Sequence, residues 1–193
     1  MNDLKALNLG VALCGSFCTF SKALKLIKQL VDMEVNVFPI MSFNAYTIST
    51  RFGKAEDFIK SIEELTNKKI IHTLSDAEPL GPHNVIDALL IAPCTGNTLS
   101  KLANAITDTP VLLAAKALIR NKKPVILAIS TNDGLGLNLK NLGHVITNEN
   151  IFIVPLRQDD PVNKPSSLVA DFNQCIDTVS MALEKKQIQP ILI

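Results

Sequence analysis

Between residues 87 and 110 the chain reads D-A-L-L-I-A-P-C-T-G-N-T-L-S-K-L-A-N-A-I-T-D-T-P. The apolar run 88–92 stops at Pro93, and small and polar residues then lead directly into a helix-compatible segment. A short apolar run bounded by turn residues suits a strand buried on both faces, the kind found in parallel sheets covered by helices. In open sheets of that type ligands bind beyond the carboxyl ends of the strands, so the 93–98 turn is the first candidate site.

The rest of the chain repeats this grammar. Residues 9–14 are a short apolar run followed by Gly15-Ser16, and Leu24, Ile27, Leu30 and Val31 then recur at helical spacing over 21–32. Residues 35–41 read as a second strand, with Pro39 expected near its end because proline donates no ladder hydrogen bond. A turn at 42–45, a helix over 55–65, an irregular segment at 79–82, the apolar 111–120, a strand at 125–129 and a last short strand at 151–154 complete the alternation. The expected fold is α/β, a three-layer Rossmann-like or flavodoxin-like parallel sheet with helices on both faces and right-handed crossovers. We expect one domain over 1–193, its late part (156–193) being a polar loop and a closing helix at 168–186, with Val169, Phe172, Ile176, Val179 and Leu183 on one face.

The 193 residues carry 47% apolar side chains, 19% charged ones and a net charge of +1, with no long block of either sign. That balance gives no footprint for nucleic acid or a membrane surface. No apolar stretch has the roughly 18 residues a membrane span needs, and Asp3 and Lys5 interrupt the start where a signal peptide requires apolar residues, so a cytoplasmic location is expected. Cys14, Cys18, Cys94 and Cys175 are expected as thiols there, and no C-x-x-C or neighbouring histidine completes a metal site.

Three turns carry the candidate chemistry. In C-G-S-F, Gly15 lets backbone approach closely and Ser16 offers a hydroxyl ahead of a helix amino terminus suited to one phosphate, although a plain Gly-Ser helix entry fits the same residues. At 93–98, Thr95, Asn97 and Thr98 donate and accept hydrogen bonds and Gly96 opens the main chain to a flat ring or phosphate; the competing reading is a helix cap at Thr95 or Asn97. The 130–134 turn, S-T-N-D-G, repeats that chemistry. Of the three histidines, His83 precedes the 88–92 strand and is the preferred acid/base candidate, provided that 79–82 folds back toward the strand's far end. Arg51 and Arg157 are candidate carboxylate clamps, because a guanidinium binds carboxylate in a planar, bidentate manner.

I-A-P-C-T-G-N-T-L-S-K-L-A-N resembles the P-A-S-A-N-T signature of the flavoprotein family that includes the FMN-containing cysteine decarboxylases and phosphopantothenoylcysteine decarboxylase, over about residues 7–155. The resemblance implies FMN, with Gly15, Ser16 and Ser42 at its phosphate and ribityl chain, Cys94, Thr95, Gly96, Asn97, Thr98 and Asn132 lining the ring, and Phe17, Pro93 and Thr131 in the same turns. A-P-C-T-G-N-T-L, L-A-I-S-T-N-D-G-L-G, Q-D-D-P-V-N-K-P-S-S-L-V-A-D-F and Q-I-Q-P-I-L further resemble the branch formed by dipicolinate synthase B subunits. That branch implies oxidation of dihydrodipicolinate, a small dicarboxylate, in the mother cell of a spore former, together with a separate A subunit that binds NADP and assembly of the chain into homo-oligomers. Two rival expectations stand beside it: a non-catalytic partner that stabilises or activates the A subunit, and a decarboxylase of a cysteinyl substrate. The decarboxylases' catalytic histidine position is occupied here by Pro79, and Thr131 replaces the methionine of their P-x-M-N segment.

Overall fold

In the computed structural model residues 4–193 are described; Asp3 lies outside them. The core strands are β1 (Asn8–Leu13), β3 (Ala88–Cys94) and β4 (Val125–Thr131), whose residues are almost all buried. β2 (Asn36–Met41) flanks β1, and β5 (Ile151–Ile153) flanks the first half of β4. All four pairings run parallel in the order β2-β1-β3-β4-β5. Helix α1 (Phe20–Asp32) packs on β1 to β3, and α8 (Cys175–Leu183) on β3 to β5. The α3 helix (Ala55–Thr66) lies beside α1. On the opposite side are α5 (Gly96–Ala103) and α6 (Pro110–Arg120), with α4 (Leu74–Ala77) against α6 and α7 (Leu139–Val145) against α5.

Pro39 sits in the middle of β2 rather than near its end. β2 is an outer strand, and the Pro39 carbonyl accepts from Ile71 N–H at 2.9 Å, so the missing donor faces the outer side, where only a single bridge is made. The expected closing helix over 168–186 also divides. Residues 168–170 form β7 (Leu168–Ala170), antiparallel both to β4 at Ser130 and Thr131 and to β6 (Leu156–Arg157). Phe172–Gln174 is a 3-10 turn capped by the Asp171 carboxylate, and only then does α8 begin. The cause is tertiary: β5 pairs only with the 125–127 part of β4, which leaves the backbone of its last residues to be satisfied by another segment. The 42–45 turn is likewise the start of a short helix, α2 (Phe43–Thr47), capped by Ser42 Oγ.

No helix among the described residues is long and apolar enough to cross a membrane.

Candidate functional site

The strand order reverses direction between β1 and β3: the chain leaves β1 toward β2 on one side, and β3 proceeds toward β4 on the other. The loops at the two carboxyl ends therefore diverge and leave a crevice, where doubly wound sheets bind their ligands. A cleft of about 960 Å³ occupies that place. Its walls come from residues 15–19 after β1, 50–52 after α2, 95–97 after β3, 130–133 at the end of β4 and the loop between β6 and β7.

The turn after β1 is tight. Ser16 N–H donates to the Cys14 carbonyl at 2.7 Å, Cys14 N–H to the Pro93 carbonyl at 3.1 Å, and a 3-10 turn (Phe17–Thr19) feeds α1. Ser16 occupies the N-cap position of that turn without capping it; its hydroxyl lies 3.0 Å from Ser130 Oγ across the crevice. The first N–H groups of a helical segment have no intrahelical acceptor and carry partial positive charge. Lys22, in the first turn of α1, adds a cation to this wall.

Opposite lies the start of α5. Thr95 Oγ1 accepts from Thr98 N–H at 3.2 Å and donates to Thr98 Oγ1 at 3.1 Å, and Thr98 Oγ1 donates to Cys14 Sγ at 3.1 Å. Thr95 is thus both the helix cap and a wall of the cleft, so the two readings of this turn coexist. The glycine at 96 answers to packing: a Cβ there would stand 2.7 Å from Asn138 Nδ2 and from Thr131 Oγ1. Gly15 is looser, its added Cβ meeting nothing nearer than Phe17 at 3.5 Å.

Gly15, Ser16, Phe17, Arg51, Thr95, Gly96, Asn97, Thr131 and Asn132 are brought together around the cleft. Ser42, Pro93, Cys94 and Thr98 stand behind that surface: Pro93, Cys94 and Thr98 are buried, and Ser42 Oγ is committed to the Ala45 N–H at 3.3 Å. Burial pushes the Cys94 thiol well above its ordinary value and that of Cys14 up to about 11, so neither is a ready thiolate. Cys18, by contrast, is exposed on the cleft wall.

Two placements correct the expected arrangement. Segment 79–82 does not fold back: the Gly81 carbonyl accepts from Asn121 Nδ2 at 3.0 Å, beside the end of α6, which precedes β4. His83, in the turn ahead of β3, is therefore held at the amino-terminal edge of the sheet, away from the crevice. Arg157 lies in β6, exposed and outside the cleft lining. The lining that residue types did not single out includes three charged residues, Lys22, Asp159 and Lys164, beside Thr19, Thr50, Phe52, Asn138, Ser167 and Val169. Lys22 comes from the first turn of α1, whereas Asp159 and Lys164 depend on how the loop after β6 folds, which local pattern does not encode. Among the described residues no group of His, Cys, Asp or Glu could hold a metal ion.

A doubly wound sheet with a polar crevice at its switch point places the chain among the Rossmann-like and flavodoxin-like α/β proteins, and the chain belongs to the Flavoprotein family, whose model matches residues 1–182. More particularly, it is similar to the dipicolinate synthase B subunit of Bacillus subtilis (strain 168), 48% identical over 193 residues that cover 100% of this chain and 96% of that protein. The crystal structure of the dipicolinate synthase B subunit from Bacillus halodurans C superposes with a TM-score of 0.91 at 41% identity, covering 100% of this chain and 98% of that one. The FMN-dependent cysteine decarboxylase SpaF shares the fold, with a TM-score of 0.72 at 20% identity over 94% of this chain and 98% of that one.

Proposed function

We propose that the chain is an FMN-binding subunit of a dipicolinate synthase, taking part in the oxidation of dihydrodipicolinate together with a separate subunit that carries NADP. The observation that carries the reading is the donor set of the crevice: an uncapped helical amino terminus with Ser16 and Lys22 on one wall, and hydroxyl and amide groups of Thr95, Asn97, Thr131 and Asn132 on the others. These residues fit FMN. The phosphate suits residues 15–18 and Lys22, because backbone N–H groups at a helix start favour an anion. A flat heteroaromatic ring suits the amide and hydroxyl groups after β3 and β4.

Bound there, a flavin supplies the electron-accepting capacity that such an oxidation requires. The chain's own work is binding and orientation. Dihydrodipicolinate gains aromaticity on losing a hydride to an electron acceptor and a proton to solvent, so fixed geometry contributes more than a strong base. The lining agrees: it contains no histidine, glutamate or tyrosine, Asp133 is bound to its own loop, and Asp159 faces Lys164. The same lack of an acid/base residue supports a second reading, a flavoprotein-fold partner that activates the other subunit without chemistry of its own. It speaks against decarboxylation, for which the cleft presents no histidine.

The test is to mix the purified full chain with FMN, separate unbound flavin by gel filtration, and read visible flavin absorbance in the protein peak. Retained flavin supports the proposal, and a colourless protein refutes the cofactor. Retained flavin with no substrate-dependent bleaching, alone or with the partner subunit, favours the non-catalytic reading.

A further inference from the structure

We propose that Arg51 and Lys164 form a two-point clamp that selects a planar dicarboxylate over a monocarboxylate in the cleft; the identity of the ligand rests on the function proposed above. The cations lining the cleft are Lys22, Arg51 and Lys164. Lys22 belongs to the wall of residues 15–18, where an uncapped helix start already favours a phosphate. The other two come from segments far apart in sequence.

Arg51 is carried by a turn closed on both sides, Thr50 N–H to the Gly53 carbonyl at 3.0 Å and Gly53 N–H to the Thr50 carbonyl at 3.1 Å. Its guanidinium lies 4.9 Å from the centroid of the Phe52 ring and makes no ion pair with a described residue. Lys164 is carried by the loop between β6 and β7, and that loop is ordered from within. Asp160 Oδ1 accepts from the Asn163 N–H at 3.0 Å, the Asp160 carbonyl accepts from Lys164 N–H at 2.8 Å, and Gln158 Nε2 donates to the Pro165 carbonyl at 2.8 Å.

Lys164 Nζ rests 3.2 Å from Asp159 Oδ2. An ammonium has three donors, so one carboxylate contact positions the group and leaves donors for a ligand. Of the two acids in the lining, Asp159 pairs with Lys164 and neither pairs with Arg51. Asp133 accepts from Leu137 N–H and Asn138 Nδ2 within its own loop, and Asp159 is held by Ser167 as well as Lys164. A cleft with two positioned cations on separate walls meets both ends of a dicarboxylate, whereas a monocarboxylate engages one. Arg157, exposed and outside the cleft, provides the control.

Full-length chain, with and without added FMN, is titrated calorimetrically with pyridine-2,6-dicarboxylate and with pyridine-2-carboxylate. The wild type favours the dicarboxylate by about tenfold, the size of one charged hydrogen bond. Lys164→Gln and Arg51→Gln each erase the preference, Lys164→Arg keeps it, Arg157→Gln leaves it intact, and FMN binding is retained in all four. Equal binding of the two probes by the wild type, no binding of either, a preference surviving both Gln variants, or loss of FMN in step with loss of the dicarboxylate overturns the clamp. A chain that takes up no FMN yet keeps the dicarboxylate preference refutes the cofactor and leaves the clamp standing.

Discussion

Thr95 and Thr109 are matched in local geometry and differ in what lies beyond them, which allows the capping role to be separated from the binding role. Both are N-caps with extended backbone, at the starts of α5 and α6; their hydroxyls accept from the third residue's N–H at 3.2 Å and 3.3 Å. Thr→Ala at a cap costs about 1 kcal/mol. At Thr109 nothing more is lost. At Thr95 the hydroxyl also donates to Thr98 Oγ1, whose own proton points to Cys14 Sγ, so Thr95→Ala removes about 1 kcal/mol more. For a chain of this length each kcal/mol lowers Tm by about 2–4 °C, which predicts a fall of roughly 4–8 °C for Thr95→Ala and about half that for Thr109→Ala. Thermal unfolding is followed by circular dichroism with and without FMN. The stabilisation given by saturating FMN shrinks in Thr95→Ala and is unchanged in Thr109→Ala. Equal shrinkage in both variants means that flavin affinity merely tracks stability, and full retention in Thr95→Ala means that the Thr95 hydroxyl does not face the ligand; either result refutes the dual role.

Three further outcomes are expected. At neutral pH a thiol reagent adds once to the native chain, at exposed Cys18, because burial holds Cys14, Cys94 and Cys175 protonated and covered; FMN protects that position, and intact-mass spectra showing multiple native adducts would contradict the burial. Gly96→Ala drives a methyl into Asn138 and Thr131, loosens the bonds they make with Asp133, costs about 2 kcal/mol and weakens FMN binding, whereas Gly15→Ala leaves Tm nearly unchanged. The Asn163 amides hold the Asp160 carboxyl, and Ser167 and Lys164 the Asp159 carboxyl, below their ordinary value of 3.8. Groups with a lowered folded value stabilise above the unfolded value and lose that contribution as pH falls through the folded one. The 159–167 loop is accordingly cut by an acid-active protease only as pH drops below about 4, and already at higher pH in Asp160→Ala; cleavage independent of pH would count against it.

The central strands were legible because burial on both faces writes a continuous apolar run, as in Leu89, Leu90 and Ile91, and no other common element has that signature at that length. The edge beside β4 was not. Val169, Phe172 and Ile176 keep helical spacing whether or not a helix contains them, and what turns residues 168–170 into β7 is the exposed ladder of Ser130 and Thr131, a demand made by another part of the chain. The site divides in the same way. Small and hydroxyl residues at the strand ends were readable, since sheet polarity alone places them at one rim. His83 was misplaced because a residue just ahead of β3 reaches the crevice only if 79–82 folds back, and the Asn121 contact that holds this segment at the amino end of the sheet leaves no local signal. Lys164 was passed over because its position depends on a loop ordered by Asp160 and Gln158, contacts with no periodicity to betray them.

The two walls of the crevice are built to different tolerances, and the difference follows from their neighbours. The turn after β3 is fixed: Thr95 caps its own helix, Thr98 reaches Cys14, and Gly96 lies so near Asn138 and Thr131 that a side chain there would displace theirs. The turn after β1 leaves its helix start uncapped and its glycine uncrowded, with Ser16 linked across the gap by a single hydroxyl contact to Ser130. A rigid wall of amides and hydroxyls suits the part of a ligand that must be oriented to react, because misplacement there is costly. An open helix start suits the part that only needs anchoring, since an anion is bound from several directions by partial charge. The polarity of an FMN molecule, ring at one end and phosphate at the other, matches that division of labour, and the cations beyond it, Arg51 and Lys164, stand on walls that neither turn supplies.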